Sequence, residues 1–490
     1  MENESHLKKL FSQTVIYGMG IILNKSVNFI LLPVYTKYFS PSEIGLFTLV
    51  QSLSLFLGVI YTFGLETSFM KFFIDANDNA ERSKVYSSSL ILLSITSFVL
   101  SIVVFTNAAN IAAAFKFTGL EKSIYLIKVL SILMMIDTLY RFPLLLFRAK
   151  LNSKTYAYIN LLTFFVNVFC NILFIVVLKL GVEAIFYSYI ISVAVTFIAG
   201  LVLTKKYLTF NISFKKIKEL LIYGNKFVYV GIFIILIDMS DRFFLKYFFD
   251  ERMVGIYWAN YRLATVMSLV IAAFKFSWTP YFLNLTTNPE NKKIISSIFT
   301  YFIFTGLVMF LVFSVFINRI VSTSIFGIEI LDENYWSGLH IVPIVLMAYL
   351  LSGVYSILNA APFFTDKTKA ILVITFAGLI VNVLFNFLLI PKLDITGAAL
   401  STMITYLSML LIIYYYSQKI FKIDYDWNRI LKLVAVTAVT FVLCYFIINR
   451  LNINLIWIIL INLLLITLYL MFINYFKIIE LKKVSILWKK

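Results

Sequence analysis

Eight charged side chains fall where the surrounding sequence is apolar: Lys25, Arg141, Arg242, Arg262 and Lys275, with the acids Asp137, Asp238 and Asp241. An ionised group near the centre of a bilayer costs at least ~2.5–3.5 kcal/mol on insertion scales and turns toward a protein interior or a water-filled cavity. Asp137 and Arg141 are four residues apart, as are Asp238 and Arg242. Each pair therefore shares a helix face and can neutralise itself, so an ion pair that only steadies the helices competes with a ligand-binding role. Lys25, Arg262 and Lys275 have no acid within helix reach, and Lys25 stands between Asn24 and Asn28 in one polar patch. The surplus is positive. A row of such cations suits an anion, and arginine forks suit phosphate oxygens in particular. The three acids are the groups deep enough to couple binding to an ion, because a nearby anion and desolvation both favour a protonated carboxyl.

Other chemistries lack their residues. Two histidines, His6 and His340, and two cysteines, Cys170 and Cys444, supply neither a metal site nor a disulfide framework. His340, close to Trp336, reads as an interfacial anchor in preference to a proton relay. No Gly-x-x-x-x-Gly-Lys-[Ser/Thr] loop is present, so the chain is not expected to hydrolyse ATP. No cofactor and no enzyme activity are expected. Lys128, Lys226 and Lys432 lie within two turns of a helix end and can snorkel to the interface.

These groups need helices to carry them. The chain has 490 residues, 61% hydrophobic and only 13% charged, with mean hydropathy +0.93. Soluble domains run nearer ~45–50% apolar and ~25% charged. A bilayer core takes roughly 20 apolar residues per helix. Fourteen such runs are bounded by charge, Pro or Asn, near 13–34, 44–64, 85–106, 122–147, 156–178, 184–204, 222–245, 254–280, 294–317, 338–363, 370–390, 396–416, 430–448 and 455–476. The alternation of membrane β-strands is absent. The expected fold is an all-α polytopic membrane protein. Its first run is too long for a cleavable leader and holds Lys25, so the N-terminal segment is expected to be retained. Pro143, Pro280, Pro343 and Pro362 are each expected to remove a backbone hydrogen bond and kink a span.

Loop cations set the orientation. With the N-terminus and alternate loops on one side, that side holds 25 Lys and Arg and the other holds nine. The loops are short, the longest being roughly 65–84, so the excess places both termini in the cytoplasm. Most of the formal charge of +18 is then topology signal, and no nucleic-acid partner is implied.

Weak internal symmetry divides the chain. Val166-Asn167-Val168 followed by Asn171 recurs as Val381-Asn382-Val383 followed by Asn386. Lys179-Leu180 followed by Ser188 recurs as Lys392-Leu393 followed by Ser401, and Lys37-Tyr38-Phe39 followed by Gly45 as Lys246-Tyr247-Phe248 followed by Gly255. The expected organisation is a six-helix bundle over 1–210, a second over 211–429, and an appended helix pair with a basic tail over 430–490. An even number of spans per repeat puts both bundles the same way up, with a pseudo-axis along the membrane normal.

Tyr35-Thr36-Lys37-Tyr38-Phe39-Ser40-Pro41-Ser42-Glu43-Ile44-Gly45, Phe63-Gly64-Leu65-Glu66-Thr67-Ser68-Phe69-Met70-Lys71-Phe72-Phe73 and the Lys367-Thr368-Lys369 turn carry a family resemblance. With the fourteen spans and basic lumen, they resemble the multidrug/oligosaccharidyl-lipid/polysaccharide (MOP) exporter superfamily. Within it the chain is most similar to the polysaccharide transport branch, the Wzx-type O-antigen and capsule-repeat flippases. That resemblance implies alternating-access transfer of a polyprenyl-diphosphate-linked oligosaccharide across the cytoplasmic membrane. The lumen cations would receive the diphosphate, and membrane lipids and polysaccharide polymerase or ligase machinery would be the partners. A cation-coupled multidrug antiporter and a peptidoglycan-precursor flippase of the same superfamily are the alternatives. A membrane-embedded glycosyltransferase or polymerase is a further one, disfavoured by the lack of a long outer loop.

Overall fold

Long apolar runs with polar caps become helices throughout the computed structural model. It describes residues 23, 26–209, 211–283, 289–325, 327–365, 367, 369–450, 455–476 and 479. Helix α1 (Leu32–Tyr38) ends at Phe39, and α2 (Pro41–Thr62) begins at once. Ser40 and Glu43 close that junction as a capping box, each side chain taking the other's main-chain N–H, with Pro41 in the first turn. Phe63 and Gly64 both adopt positive φ and turn the chain into α3 (Leu65–Ile74). In α4 (Asn79–Thr106) the Asp78 carboxylate accepts from the Glu81 N–H at 2.6 Å. A cap of this kind is worth about 1 kcal/mol.

The short α5 (Ala108–Ala114) leads to α6 (Leu120–Ala149), which keeps Pro143 inside it, and to α7 (Ser153–Asn171). Helix α7 runs on as a π-helical stretch, Ile172–Val177. Next come α8 (Glu183–Thr204), α9 (Phe214–Phe248), α10 (Glu251–Leu283) and α11 (Pro289–Val321). A two-residue antiparallel pair, β1 (Ser324–Ile325) with β2 (Ile328–Glu329), follows. After the 3-10 stretch Glu333–Ile341 come α12 (Val342–Leu358), α13 (Ala360–Phe364) and α14 (Lys369–Ile420). Helix α14 contains Pro391 and breaks at Asp394, whose φ is 44°. Last are α15 (Trp427–Arg450) and α16 (Leu455–Tyr475).

Nine helices among the described residues are long and apolar enough to cross a membrane. The chain is an all-α, multi-pass membrane protein. Three local expectations change. The expected loop at 65–84 is mostly helix, because Leu65, Phe69 and Phe73 form one apolar face and are buried. Pro343 lies in the first turn of α12; a first-turn N–H has no partner inside the helix, so this proline breaks no helical hydrogen bond. Lys246, counted as a loop cation, is half-buried near the end of α9 and forms an ion pair with Glu251 at 2.8 Å. Most of the first expected span, with Lys25 and Asn24, lies outside the described residues.

Two compact units emerge. The first contains the described residues of Met1–Arg262, Leu331–Trp336 and Val383–Ala398; the second contains those of Leu263–Ile330, Ser337–Asn382 and Ala399–Lys490. In the first, polar groups between helices pair in a chain. The Tyr35 hydroxyl donates to Asn171 Oδ1 at 3.0 Å, Asn171 Nδ2 donates to Asn167 Oδ1 at 3.0 Å, and Asn167 Nδ2 donates to Ser192 Oγ at 3.2 Å. Asn386 Nδ2 donates to Ser240 Oγ at 3.2 Å in the same unit. In the second unit Asn382 Nδ2 donates to Thr405 Oγ1, also at 3.2 Å. Aromatic rings there cluster where α11 meets α15: Phe299 with Tyr425 at 4.4 Å, and Tyr414 edge-on to Trp427 at 5.2 Å.

Candidate functional site

Helix α6 carries Asp137 and Arg141 one turn apart, and α3 and α8 complete their surroundings. Arg141 Nε and Nη2 donate to Asp137 Oδ2 at 3.0 and 2.8 Å. Arg141 Nη1 reaches Glu66 Oε1 on α3 at 3.4 Å, and the Tyr189 hydroxyl on α8 donates to Asp137 Oδ1 at 3.0 Å. The carboxylate is buried with 7% of its side chain exposed, whereas 43% of the Arg141 side chain is exposed. The cation is therefore anchored on one side and accessible on the other. Glu66 and Tyr189 were not expected from the sequence, because they come from other elements.

The second cluster joins α9 to α10. Asp241, 1% exposed, accepts from the Tyr257 hydroxyl at 2.6 Å and from the Arg242 N–H at 2.8 Å. Arg242 Nη1 donates to the main-chain carbonyl of Asp238, four residues earlier, at 3.1 Å. Its guanidinium also touches the Met239 thioether and lies over the Tyr261 ring, 5.7 Å from the centroid. Farther along α10, the half-buried Arg262 lies over the Trp258 indole at 5.3 Å.

The first unit thus holds Arg141, Arg242 and Arg262 with the acids Asp137, Asp238 and Asp241. Lys275 is half-buried in the second unit, and Asn28 is half-buried in the first. Lys128 packs over Phe105 at 5.2 Å, as a snorkelling cation near a helix end does. The Glu251 carboxylate, besides Lys246, accepts the Thr118 N–H at 2.7 Å. Among the described residues no cluster of three His, Cys, Asp or Glu side chains could hold a metal ion. The aromatic partners Trp258 and Tyr261 had a signal in the sequence, an aromatic four residues before Arg262 and another beside it. By composition alone they merge into an aromatic-rich chain.

This arrangement of membrane helices is shared with solved transporters. A multidrug resistance MATE family transporter of the MOP superfamily, in an inward-facing conformation, aligns with a TM-score of 0.68 at 14% identity, covering 83% of this chain and 97% of its own. The lipid II flippase MurJ, inward closed, aligns with a TM-score of 0.74 at 14% identity, covering 94% and 98%. A MATE protein in complex with MaD3S gives 0.60 at 16% identity, covering 83% and 95%. At such identities the shared property is the fold, that of the MOP superfamily. Residues 10–286 match the family described as polysaccharide biosynthesis protein, and the chain belongs to it. No curated protein matches the chain significantly.

Proposed function

We propose that the protein is a flippase that moves a polyprenyl-diphosphate-linked oligosaccharide, an O-antigen or capsule repeat unit, across the cytoplasmic membrane by alternating access. One observation carries this reading. Three arginines, Arg141, Arg242 and Arg262, belong to one compact unit and stand within the long helices α6, α9 and α10. A charge at such depth is retained where a ligand or cavity receives it. A diphosphate is the anion that arginine forks bind best, and membership of a polysaccharide biosynthesis family supports a sugar-bearing cargo.

In this reading Lys25, Arg141, Arg242, Arg262 and Lys275 are the cations that meet the cargo, with Asn24 and Asn28 as polar support. Residues 1–210 and 211–429 are two like-oriented repeats, 430–490 an appended pair, and both termini are cytoplasmic. Asp137, Asp238 and Asp241 supply ion coupling. Cargo competes with Asp137 for Arg141, so loading leaves that carboxylate less well neutralised.

The test is flipping of a lipid-linked oligosaccharide in vesicles containing the purified protein. Arg262→Ala and Arg141→Ala should reduce flipping at least tenfold with the protein still inserted, whereas Lys128→Ala should change it less than twofold. Equal losses in all three would reduce the effect to folding stress. The buried carboxylate of Asp241 favours a second reading, cation-coupled drug export. Drug-driven proton exchange without any flipping would establish that one instead.

A further inference from the structure

The six residues Leu331–Trp336 belong to the first compact unit, although the chain before and after them belongs to the second. Within the first unit they run between the α1–α2 junction and α10. The Asp332 N–H donates to Thr36 Oγ1 at 3.3 Å, and the Tyr335 hydroxyl donates to the Phe39 carbonyl at 2.8 Å. From α10, Asn260 Nδ2 donates to the Tyr335 carbonyl, also at 2.8 Å. Each partner suits its bond. Phe39 caps α1, where carbonyls have no partner inside the helix. The Thr36 hydroxyl donates to the Leu32 carbonyl at 3.0 Å, which leaves its oxygen to accept. Asn260 divides its amide donors between the Ile256 carbonyl, at 2.9 Å, and this strap.

The strap is also braced internally. Trp336 Nε1 donates to the Leu331 carbonyl at 2.9 Å, the Tyr335 N–H to the Asp332 carbonyl at 3.0 Å, and Asn334 Nδ2 to Asp332 Oδ1 at 2.7 Å. Leu331, Tyr335 and Asn260 are buried, whereas Glu333, Asn334 and Trp336 are exposed. One face is sealed and the other meets solvent. The bonds to Thr36 and Phe39 are neutral hydrogen bonds, which exchange for bonds to water at small net cost once water reaches them. They fasten the strap in a way that can be undone.

The strap crosses a close seam, since the main chain of Pro41 at the start of α2 lies against Gly255 on α10. Alternating access rocks one repeat against the other, and in the proposed repeats Thr36 and Phe39 stand in the first, Asn260 and the strap in the second. We infer that Leu331–Trp336 is a latch: it stays on α10 through Asn260 and lets go of Thr36 and Phe39 once in each transport cycle. In the orientation proposed above, it closes the outer end. The inference rests on the flippase reading, and the test separates the two.

Thr36→Cys and Asp332→Cys are combined in full-length protein whose natural cysteines, Cys170 and Cys444, are alanine. In vesicles, a short thiol cross-linker that dithiothreitol cleaves joins the pair. Flipping of a fluorescent polyprenyl-diphosphate-linked disaccharide should fall about tenfold or more on cross-linking and recover with dithiothreitol. Each single-cysteine protein treated alike should lose less than about twofold. Binding of farnesyl diphosphate, a short polyprenyl diphosphate, should change less than about twofold, because the opposite end still opens.

Unimpaired flipping with the pair fully cross-linked overturns the latch and leaves the flippase reading intact. Loss of farnesyl diphosphate binding on cross-linking overturns the latch as well. Absence of flipping in the wild type overturns both. Should the double variant fail to fold, hydrogen exchange in the wild type decides the matter. Amides of 331–336 should exchange about threefold faster or more while the disaccharide probe is being flipped than in the empty protein. Equal exchange in the two conditions overturns the inference.

Discussion

Gly45 on α2 lies against the main chain of Glu251, and Gly255 on α10 lies against the main chain of Pro41. The contact is reciprocal at a spacing of 210, since Gly45 and Gly255, Pro41 and Glu251, and the capping residues Ser40 and Asp250 are all that far apart. Asp250 accepts from the Met253 N–H at 2.9 Å, as Ser40 does from Glu43. Two helix starts of the same design therefore cross backbone to backbone, as surfaces related by a two-fold axis do.

No side chain fits at that crossing. Gly45→Ala or Gly255→Ala would drive a Cβ into the opposing carbonyl. Overpacking of this kind costs about 1–3 kcal/mol. Either variant should melt several degrees lower in detergent, measured against Gly58→Ala. At Gly58 a Cβ meets only the Met134 methyl at 3.8 Å, and alanine gains helix propensity, so that variant should be neutral or stabilising.

Asp137→Asn should destabilise the protein by about 1–3 kcal/mol, because a buried acceptor of charged hydrogen bonds is removed while its donors remain. Asp137→Asn with Arg141→Met should recover part of the loss by removing a cation left with Glu66 alone. Thermal unfolding of the two single variants and the double variant gives the coupling energy. Strict additivity would mean that the pair contributes nothing as a pair.

Asn171→Ala removes the acceptor of Tyr35 and the link to Asn167. Interhelical hydrogen bonds in membranes average about 0.6 kcal/mol and reach ~1.7, so a loss of about 1–2 kcal/mol is expected from the two together. Tyr35→Phe should cost less than Asn171→Ala in the same melting measurement.

Coupling is testable at Asp238 and Asp241. If protonation of a deep acid accompanies cargo, Asp238→Asn or Asp241→Asn should weaken the dependence of flipping on an imposed pH gradient more than it weakens farnesyl diphosphate binding. Unchanged gradient dependence in both variants, at matched protein level, removes these acids from the mechanism. A wild type indifferent to the gradient removes the proton.

Topology can be read with cysteines at exposed positions. Asn77→Cys, between α3 and α4, should react only with membrane-permeant reagents in intact cells. Lys179→Cys, between α7 and α8, should react with impermeant ones. The reverse pattern would invert the orientation drawn from the loop cations.

The helices are legible in the sequence because a lipid-facing helix needs a long apolar run, which a water-soluble element of the same length would break with polar residues on its outer face. The Asp137–Arg141 pair is legible because both partners are on one helix at one-turn spacing. Glu66, Tyr189 and Tyr257 are not, since their roles arise from helices that meet only in the fold. Lys246 misleads for the same reason: near a span end it looks like a loop cation, and only the fold brings the Glu251 carboxylate to it. Helix α3 reads as a loop because ten residues are too few to span a membrane, although Leu65, Phe69 and Phe73 already mark its buried face.

From Asn171 to Lys179 the chain takes eight steps, and from Asn386 to Lys392 it takes six. Two surplus residues added to an α-helix would rotate everything beyond them by about 200°. Here the surplus coincides with the wide turns at Ile172–Val177, where the Leu178 N–H reaches back to Leu173 at 2.9 Å and the Leu180 N–H to Phe174 at 2.9 Å. A wider coil accommodates more residues over the same rise. The stretch thus acts as slack in the chain, so that the segment beyond it keeps its own facing without swinging Asn167 and Asn171 away from the helices they grip.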